Sequence, residues 1–222
     1  MTRAHELARW LSSLEPAARD AVIAKAHVLA LPPETEVYAQ GDPVDGIYIV
    51  LEGAVKELAA FEGCLRLVRL TGPGTVLGAG ELFSEPIQTM SAVTLRQTRL
   101  AWLSQPDLHG IFAEHPSVLM WLMQQLSTQL GELRSALVET VYVESAARLT
   151  RKLMEVAERF GVRTPEGVLI DIKLSRDEWA ALAGMAPETV SRVLHDLERR
   201  GWIALEGRHI RLLEEEKLRV HS

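Results

Sequence analysis

The sequence predicts an α+β protein in three successive parts: a sandwich or barrel of short strands, one long helix and a winged helix-turn-helix. Three observations predict it. Residues 36–104 break into short alternating apolar runs punctuated by glycine. Residues 119–140 place apolar side chains at a 4-3-4-3-4-3 spacing. Residues 174–212 hold a capped helix, a glycine turn, a second amphipathic helix and a glycine-turned hairpin. The 222 residues allow one or two domains with ample core, and 47% hydrophobic with 24% charged residues is ordinary for a globular protein. No apolar run approaches the roughly 18 residues of a membrane span. Arg3, His5, Glu6 and Arg9 leave the N-terminus without the apolar core of a secretory signal. The single Cys64 excludes an intramolecular disulfide framework and a four-cysteine cluster, and the expected location is the cytoplasm.

Taken in order, residues 4–14 and 16–27 read as two amphipathic helices, and Leu31-Pro32-Pro33 ends the helical pattern. Strands follow. Ile47, Ile49 and Leu51 alternate with Tyr48, Val50 and Glu52, and Val55 and Leu58 come after Gly53. Glu62-Gly63 marks a hairpin turn, and Leu65, Leu67 and Arg69 alternate with Arg66, Val68 and Leu70. Gly72-Pro73-Gly74 turns again, and residues 92–103 supply later strands. Such spacing indicates a sandwich or barrel. Residues 107–113 read as a short helix, and Pro116 opens a long one. Its Leu119, Met123, Leu126, Leu130, Leu133, Leu137 and Thr140 keep a coiled-coil rhythm, so this face is expected to meet its own copy. Trp121 and Leu122 lie off that seam and suit contact with the stranded part. Residues 143–160 form a further helix with Ala147, Leu149, Leu153, Val156 and Ala157 apolar, and residues 168–174 read as a strand.

Ser175-Arg176-Asp177-Glu178 is a capping box, with Leu174 and Trp179 at the staple positions. The helix puts Trp179, Leu182 and Ala183 on one face, and Gly184 breaks it. Pro187 fits the first turn of the next helix, where its missing N–H is no loss. Val190, Val193, Leu194 and Leu197 form the buried stripe of that helix, opposite Glu188, Ser191, Arg192, His195 and Arg199. Gly201 ends it, and residues 202–212 fold back around Glu206-Gly207 as a wing. In such modules the second helix enters the DNA major groove with its N-terminal residues foremost, here Glu188, Thr189, Ser191 and Arg192. A glutamate accepts from cytosine N4 and an arginine donates bidentately to guanine O6 and N7, so Glu188 and Arg192 fit one G·C pair. The competing reading is an i,i+4 salt bridge on a solvated face.

The net charge of −6 is unevenly divided. Residues 1–142 carry 10 basic and 16 acidic side chains, whereas residues 143–222 carry 14 of each. DNA binding therefore needs a local basic surface, expected from Arg176, Arg192, Arg199, Arg200, Arg208 and Arg211.

Pro187-Glu188-Thr189-Val190-Ser191-Arg192, followed by the apolar stripe and wing, resembles the bacterial CRP/FNR transcription regulators. The order Glu-Thr-Val-Ser-Arg is similar to the FNR branch, in which Glu, Ser and Arg read the half-site; this implies base contacts by Glu188, Ser191 and Arg192. The CRP branch has a further Arg before the Glu, where this chain has Pro187. Residues 201–218 also resemble regulators of dissimilatory nitrate respiration. The resemblance extends over essentially the whole chain, since Gly41-Asp42-Pro43, Tyr48 and Gly53-Ala54-Val55 are similar to the opening strands of the cyclic-nucleotide-binding jelly roll. It implies a sensor domain over 1–114, a dimerisation helix over 115–142 and a winged-helix DNA-binding domain over 143–222. It also implies a homodimer on a two-fold symmetric double-stranded DNA site, working with RNA polymerase. Ser175, Arg176, Thr189, Arg199, Arg200 and Arg208 would touch the DNA backbone or flank it, and Leu119, Met123, Leu126, Leu130, Leu133 and Leu137 would form the dimer interface.

Gly78-Ala79-Gly80-Glu81-Leu82-Phe83 with Met90-Ser91-Ala92 aligns with the phosphate-binding cassette of cyclic AMP receptors. In that family a Glu holds the ribose and an Arg-Ser pair holds the cyclic phosphate. Glu81 and Ser91 match, but Met90 stands at the Arg position, and the family's adenine-contacting Thr-Ser pair falls on Leu133 and Arg134. The effector pocket is thus expected from Gly80, Glu81, Leu82, Met90, Ser91, Leu133 and Arg134, with cyclic AMP disfavoured because a buried phosphate would lack its guanidinium. The resemblance to nitrate-respiration regulators, some of which respond to nitric oxide through haem, keeps haem as an option, with His5, His27, His109 or His115 as ligands. The Cys and His ligands of carbon-monoxide-sensing relatives fall on Gly78 and Gly80. None of the seven histidines are two apart, and there is no nucleophile elbow, phosphate loop or zinc-binding pair, all of which argues against an enzyme. The alternative to a DNA-binding regulator is a cyclic-nucleotide-binding module that signals through protein contacts.

Overall fold

The structure, a computed structural model, describes residues 3–61, 63–84 and 87–221. Its contacts divide the chain into two units, residues 1–65 with 70–132 and residues 66–69 with 133–222. The first unit begins with α1 (Arg3–Trp10) and α2 (Pro16–Lys25), continues through β1 (His27–Leu31), β2 (Glu36–Tyr38), β3 (Gly46–Glu52), β4 (Val55–Phe61), β5 (Cys64–Thr71, apart from its residues 66–69) and β6 (Val76–Leu77), and reaches a 3-10 turn at Glu81–Phe83. Then come β7 (Ser91–Thr94), β8 (Thr98–Ser104), α3 (Gln105–Glu114) and α4 (Pro116–Tyr142), the last of which runs on into the second unit.

The strands form two four-stranded sheets, in the orders β1-β8-β3-β6 and β2-β7-β4-β5. β3 shows why the alternation at residues 47–52 is a core signal rather than an amphipathic one. Ile47, Ile49 and Leu51 join a core built with Leu7, Leu11, Val22, Leu108, Trp121 and Leu122. Tyr48 and Val50, on the opposite face, join Tyr38, Val55, Leu77, Ala92 and Leu100. One face of this sheet is thus covered by helices and the other by the second sheet, the layering a two-sided buried strand requires. Burial and the Asp45 carboxylate push the Tyr48 hydroxyl's pKa up, since both oppose the phenolate. Gly53, at φ 99, turns β3 into β4 where a Cβ would lie 2.4 Å from Thr98 Oγ1, so no side chain fits.

The second helix is shorter than the sequence pattern predicts. It stops at Lys25, and His27–Leu31 is a strand paired antiparallel with β8 from His27↔Trp102 to Leu31↔Thr98. Val28 packs on the helix-covered side and Leu29 and Leu31 on the other, so ladder and burial override the helical pattern. Of the Glu62-Gly63 turn, Gly63 sits at φ 75 between β4 and β5, and Glu62 lies outside the described residues.

The second unit contains the end of α4, α5 (Ser145–Phe160), β9 (Gly161–Thr164), β10 (Gly167–Ile170), α6 (Arg176–Ala183), α7 (Pro187–Arg199), β11 (Ile203–Glu206), β12 (His209–Leu212) and α8 (Glu215–Val220). Its sheet runs β11-β12-β10-β9, and its core includes Leu149, Leu153, Phe160, Ile170, Leu174, Trp179, Val190, Leu194 and Leu212. The strand expected over 168–174 ends at Ile170; Ile172 and Leu174 stay buried as the chain leaves the sheet for the α6 cap. Truncating a side chain such as fully buried Leu194 to Ala costs about 2–5 kcal/mol.

Candidate nucleic-acid interface and sensor site

The Ser175 hydroxyl oxygen accepts from the Glu178 amide at 3.1 Å, and the Glu178 carboxylate accepts from the Ser175 amide at 2.7 Å, the reciprocal pair of a capping box. Gly184 ends α6 at φ 59, a conformation disfavoured for any residue with a Cβ. After Met185 and Ala186, Pro187 starts α7. Val190, Leu194 and Leu197 bury its stripe, which turns Glu188, Arg192, His195 and Arg199 outward. Thr189 and Ser191 are half-buried at the edges. Among the described residues Glu188 and Arg192 form no ion pair with each other or with any neighbour, so the competing salt-bridge geometry is not adopted. His195 Nδ1 lies 2.6 Å from the Ser191 carbonyl, which leaves its other ring nitrogen outward.

The predicted basic surface is less free than its composition suggests. Arg199 and Arg200 share Asp196, with Arg200 Nε 2.7 Å from Oδ2, and the Arg200 guanidinium lies over the Trp202 ring at 5.2 Å. Arg208 reaches the capping carboxylate of Glu178 at 3.5 Å. Arg211 is bidentate to Glu206 at 2.7 and 3.1 Å, and the guanidinium holds the Glu206 carboxyl below the usual carboxylate range. Arg192 and half-buried Arg176 carry no hydrogen bond or ion pair among the described residues. The i,i+3 and i,i+4 spacing of Asp196 to Arg199 and Arg200 was the available signal for that pairing.

In the first unit, Gly80, Glu81, Leu82 and Met90 lie in the connection between β6 and β7, and Ser91 opens β7. Glu81 is half-buried, and its carboxylate accepts from the Thr89 hydroxyl. Ser91 is buried, with its hydroxyl oxygen accepting from the Gln40 amide at 2.9 Å. Met90 is half-buried and Leu82 belongs to the core. Residues 78–91 contain no Lys or Arg, so the segment has no cation of its own for an anion. The Gln88 amide, 1% exposed, has no hydrogen-bond partner among the described residues, a feature with no signal in the sequence pattern. Leu133 and Arg134 belong to the second unit and are exposed. Of the histidines weighed as haem ligands, His27 and His109 are exposed, half-buried His115 follows α3, and none is in the cassette. The His5 side chain lies outside the described residues.

Along α4, Val118, Trp121 and Leu122 are buried in the first unit's core, with half-buried Leu126 packed against it. Half-buried Leu119 and exposed Met123, Leu130, Leu133 and Leu137 form the apolar face, with Leu137 as much as 69% exposed.

Both sites have counterparts among known proteins. Residues 28–115 match the cyclic nucleotide-binding domain model and residues 147–220 the Crp-like helix-turn-helix domain model. The chain is 32% identical to the cyclic AMP receptor protein of Thermus thermophilus over 81% of its own length and 82% of the relative's. The chain belongs to the CRP/FNR family of transcription regulators. A CRP-like cAMP-activated global transcriptional regulator of Mycobacterium tuberculosis is 29% identical over 92% of each chain. A CRP/FNR-family regulator structure, also from Thermus thermophilus, superposes with a TM-score of 0.75 at 27% identity, covering 88% of this chain and 97% of the other. The c-di-GMP-responsive regulator CLP of Xanthomonas campestris also gives 0.75, at 25% identity, over 89% of this chain and 99% of the other. These CRP/FNR relatives are transcription regulators, and no described helix of this chain is long and apolar enough to cross a membrane. The CRP/FNR pattern thus frames both sites: α7 carries Glu188 and Arg192 of its Glu-Thr-Val-Ser-Arg run in the open, whereas the cassette departs from it at Met90.

Proposed function

We propose that the chain works as a cytoplasmic homodimer whose two α7 helices read an inverted-repeat operator, with Glu188 and Arg192 on a G·C pair and Ser191 beside them. The observation that carries this is the pair itself: two side chains of complementary chemistry, one helical turn apart, exposed and without a partner among the described residues. Thr189, Ser175, Arg176, Arg199, Arg200 and Arg208 flank the pair as candidate backbone contacts. The apolar face of α4, from Leu119 to Leu137, supplies the dimer seam. A closed two-fold dimer sets the half-site centres about 34 Å apart, one helical turn of DNA. A TTGA-like half-site follows from the likeness to the FNR branch, and RNA polymerase is the partner that such a regulator serves.

The effector is proposed not to be cyclic AMP. Without an arginine at position 90, nothing in residues 78–91 neutralises a cyclic phosphate, and Glu81 already has Thr89 as a partner. Control by another small molecule, or by protein abundance alone, fits this cassette better. In vitro site selection with the purified protein, beside calorimetry with cyclic AMP, tests both halves. The expected result is a dyad-symmetric site and no heat of binding; a site lacking dyad symmetry, or micromolar cyclic AMP affinity coupled to tighter DNA binding, defeats the corresponding half.

A further inference from the structure

Arg148, on α5, is a buried cation that makes no ion pair among the described residues. Its guanidinium is ringed by main-chain carbonyls. Nε donates to Ala183 at 2.8 Å and Nη2 to Gly184 at 3.1 Å, both at the end of α6. Nη1 reaches Val143 at 2.8 Å, Thr140 at 3.1 Å and Glu139 at 3.4 Å, at the end of α4. Carbonyls at helix C-termini lack intrahelical donors and carry the negative end of the helix dipole. One planar five-donor fork therefore satisfies two such termini at once and neutralises its own burial there. The junction is tight on its other side as well. A Cβ on Gly184 would lie 3.1 Å from Thr140 Oγ1, and Arg151 holds the Glu139 carboxylate at 2.9 Å.

Only Gly184, Met185 and Ala186 separate α6 from α7. Whatever fixes that turn to the end of α4 also fixes the direction in which α7 leaves it. We propose that Arg148 is a positioning residue for DNA recognition. It knots the last turn of α4 to the helix-turn-helix turn, and so sets the angle between the long helix and α7. The inference rests on the two-fold operator reading above, because in a dimer joined along α4 this angle sets the separation of the two α7 helices.

The test is Arg148→Lys, which keeps the charge but replaces the fork with one nitrogen. Expected are an unchanged dimer by sedimentation, an unchanged half-site base preference and an unchanged salt slope, with operator affinity lower by about tenfold, or 1.4 kcal/mol. The distinguishing readout is spacing. Inserting one base pair between half-sites should weaken the wild type far more than the variant, because the variant's α7 helices are no longer held to one separation. A readout independent of the operator is hydrogen exchange. The amides of Gly184 and Met185, which donate to Ala181 and Ala180, should exchange faster in the variant, with the core of α5 unchanged. If Arg148→Lys loses its cooperative melt, Gly184→Ala takes its place, since its methyl presses the same junction apart from the Thr140 side. Wild-type exchange at Gly184 and Met185, or undiminished spacing selectivity in whichever variant folds, overturns the proposal. A wild type without dyad preference would instead sink the two-fold reading, and the exchange result alone would then judge the knot.

Discussion

On α7, Glu188 and Arg192 stand in solvent with no partner among the described residues, whereas in the cassette Glu81 is bonded to Thr89, Ser91 to the Gln40 amide, and Met90 occupies the cationic position of the family pattern. Polar groups left open at a surface are ready for an external partner. Groups satisfied internally must first break a hydrogen bond, and here residues 78–91 supply no cation to compensate. The difference teaches that resemblance to one family does not carry equal functional weight along a chain. The second unit carries Glu188 and Arg192 of its pattern in the open; the first keeps the fold but has Met90 where the pattern has an arginine. Buried Gln88 carries the cassette's one unsatisfied side-chain amide among the described residues.

The largest effect expected is on assembly, which both regions depend on. Leu133→Glu puts a carboxylate in the proposed seam, whose neighbouring positions Leu130 and Leu137 are apolar. The variant should sediment as a monomer and lose specific operator affinity almost entirely. Leu133 is the better site than Leu126, because Leu126 also packs against the core of its own unit. A dimer of undiminished stability in this variant would remove α4 from the interface and leave α7 with no reason to read a repeat.

Next in size is the reading pair. Arg192→Ala should cost about 1–3 kcal/mol per half-site and relax the preference at one base pair, measured by competition among single-base operator variants. If affinity falls while the preference stays, Arg192 is a phosphate contact, and the contrast with the cassette loses its sharper side. Met90→Arg probes the other region. Restoring the guanidinium should produce cyclic AMP binding by calorimetry where the wild type shows none, a gain of roughly tenfold to a hundredfold. Equal binding by both proteins would mean that Met90 does not decide the cassette's chemistry.

The parts that were legible in the sequence are those governed by local chemistry. The capping box at Ser175, the left-handed turn at Gly184 and the glycine of the wing each require one residue type at one place, and a sequence displays that directly. β1 and β9 were not legible. His27–Leu31 continues an apolar stretch that fits a helix as well as a strand, and Gly161–Thr164 is a mostly exposed strand without alternation. Their identity comes from the ladders formed with β8 and β10. Arg148 was invisible for a different reason: a charged residue in an amphipathic helix reads as solvated, and its five carbonyl partners are 5 to 36 residues away. The cassette was legible as a motif, but the Thr89 hydrogen bond that occupies Glu81 was not.

The smallest effect concerns the cations around the reading pair, and it sharpens what counts as an open group. Sequence alone makes Arg200 a phosphate contact, so Arg200→Ala is expected to weaken binding to all sequences and lower the salt slope by about one. Its pairing with Asp196 and its place over Trp202 reduce that expectation, since a phosphate must compete with a carboxylate already in contact. The pair is a surface one, worth at most about 1 kcal/mol, so competition is feasible but partial. Asp196→Asn removes the competitor from both Arg199 and Arg200 while leaving the buried stripe of α7 unchanged. Non-specific affinity should therefore rise by a fewfold and the salt slope steepen by up to about one, with base preference unaltered. Titration of a random duplex at several salt concentrations measures both quantities. An unchanged slope would show that Asp196 and its arginines face away from the duplex, and would confine the open chemistry of α7 to the turn that carries Glu188 and Arg192.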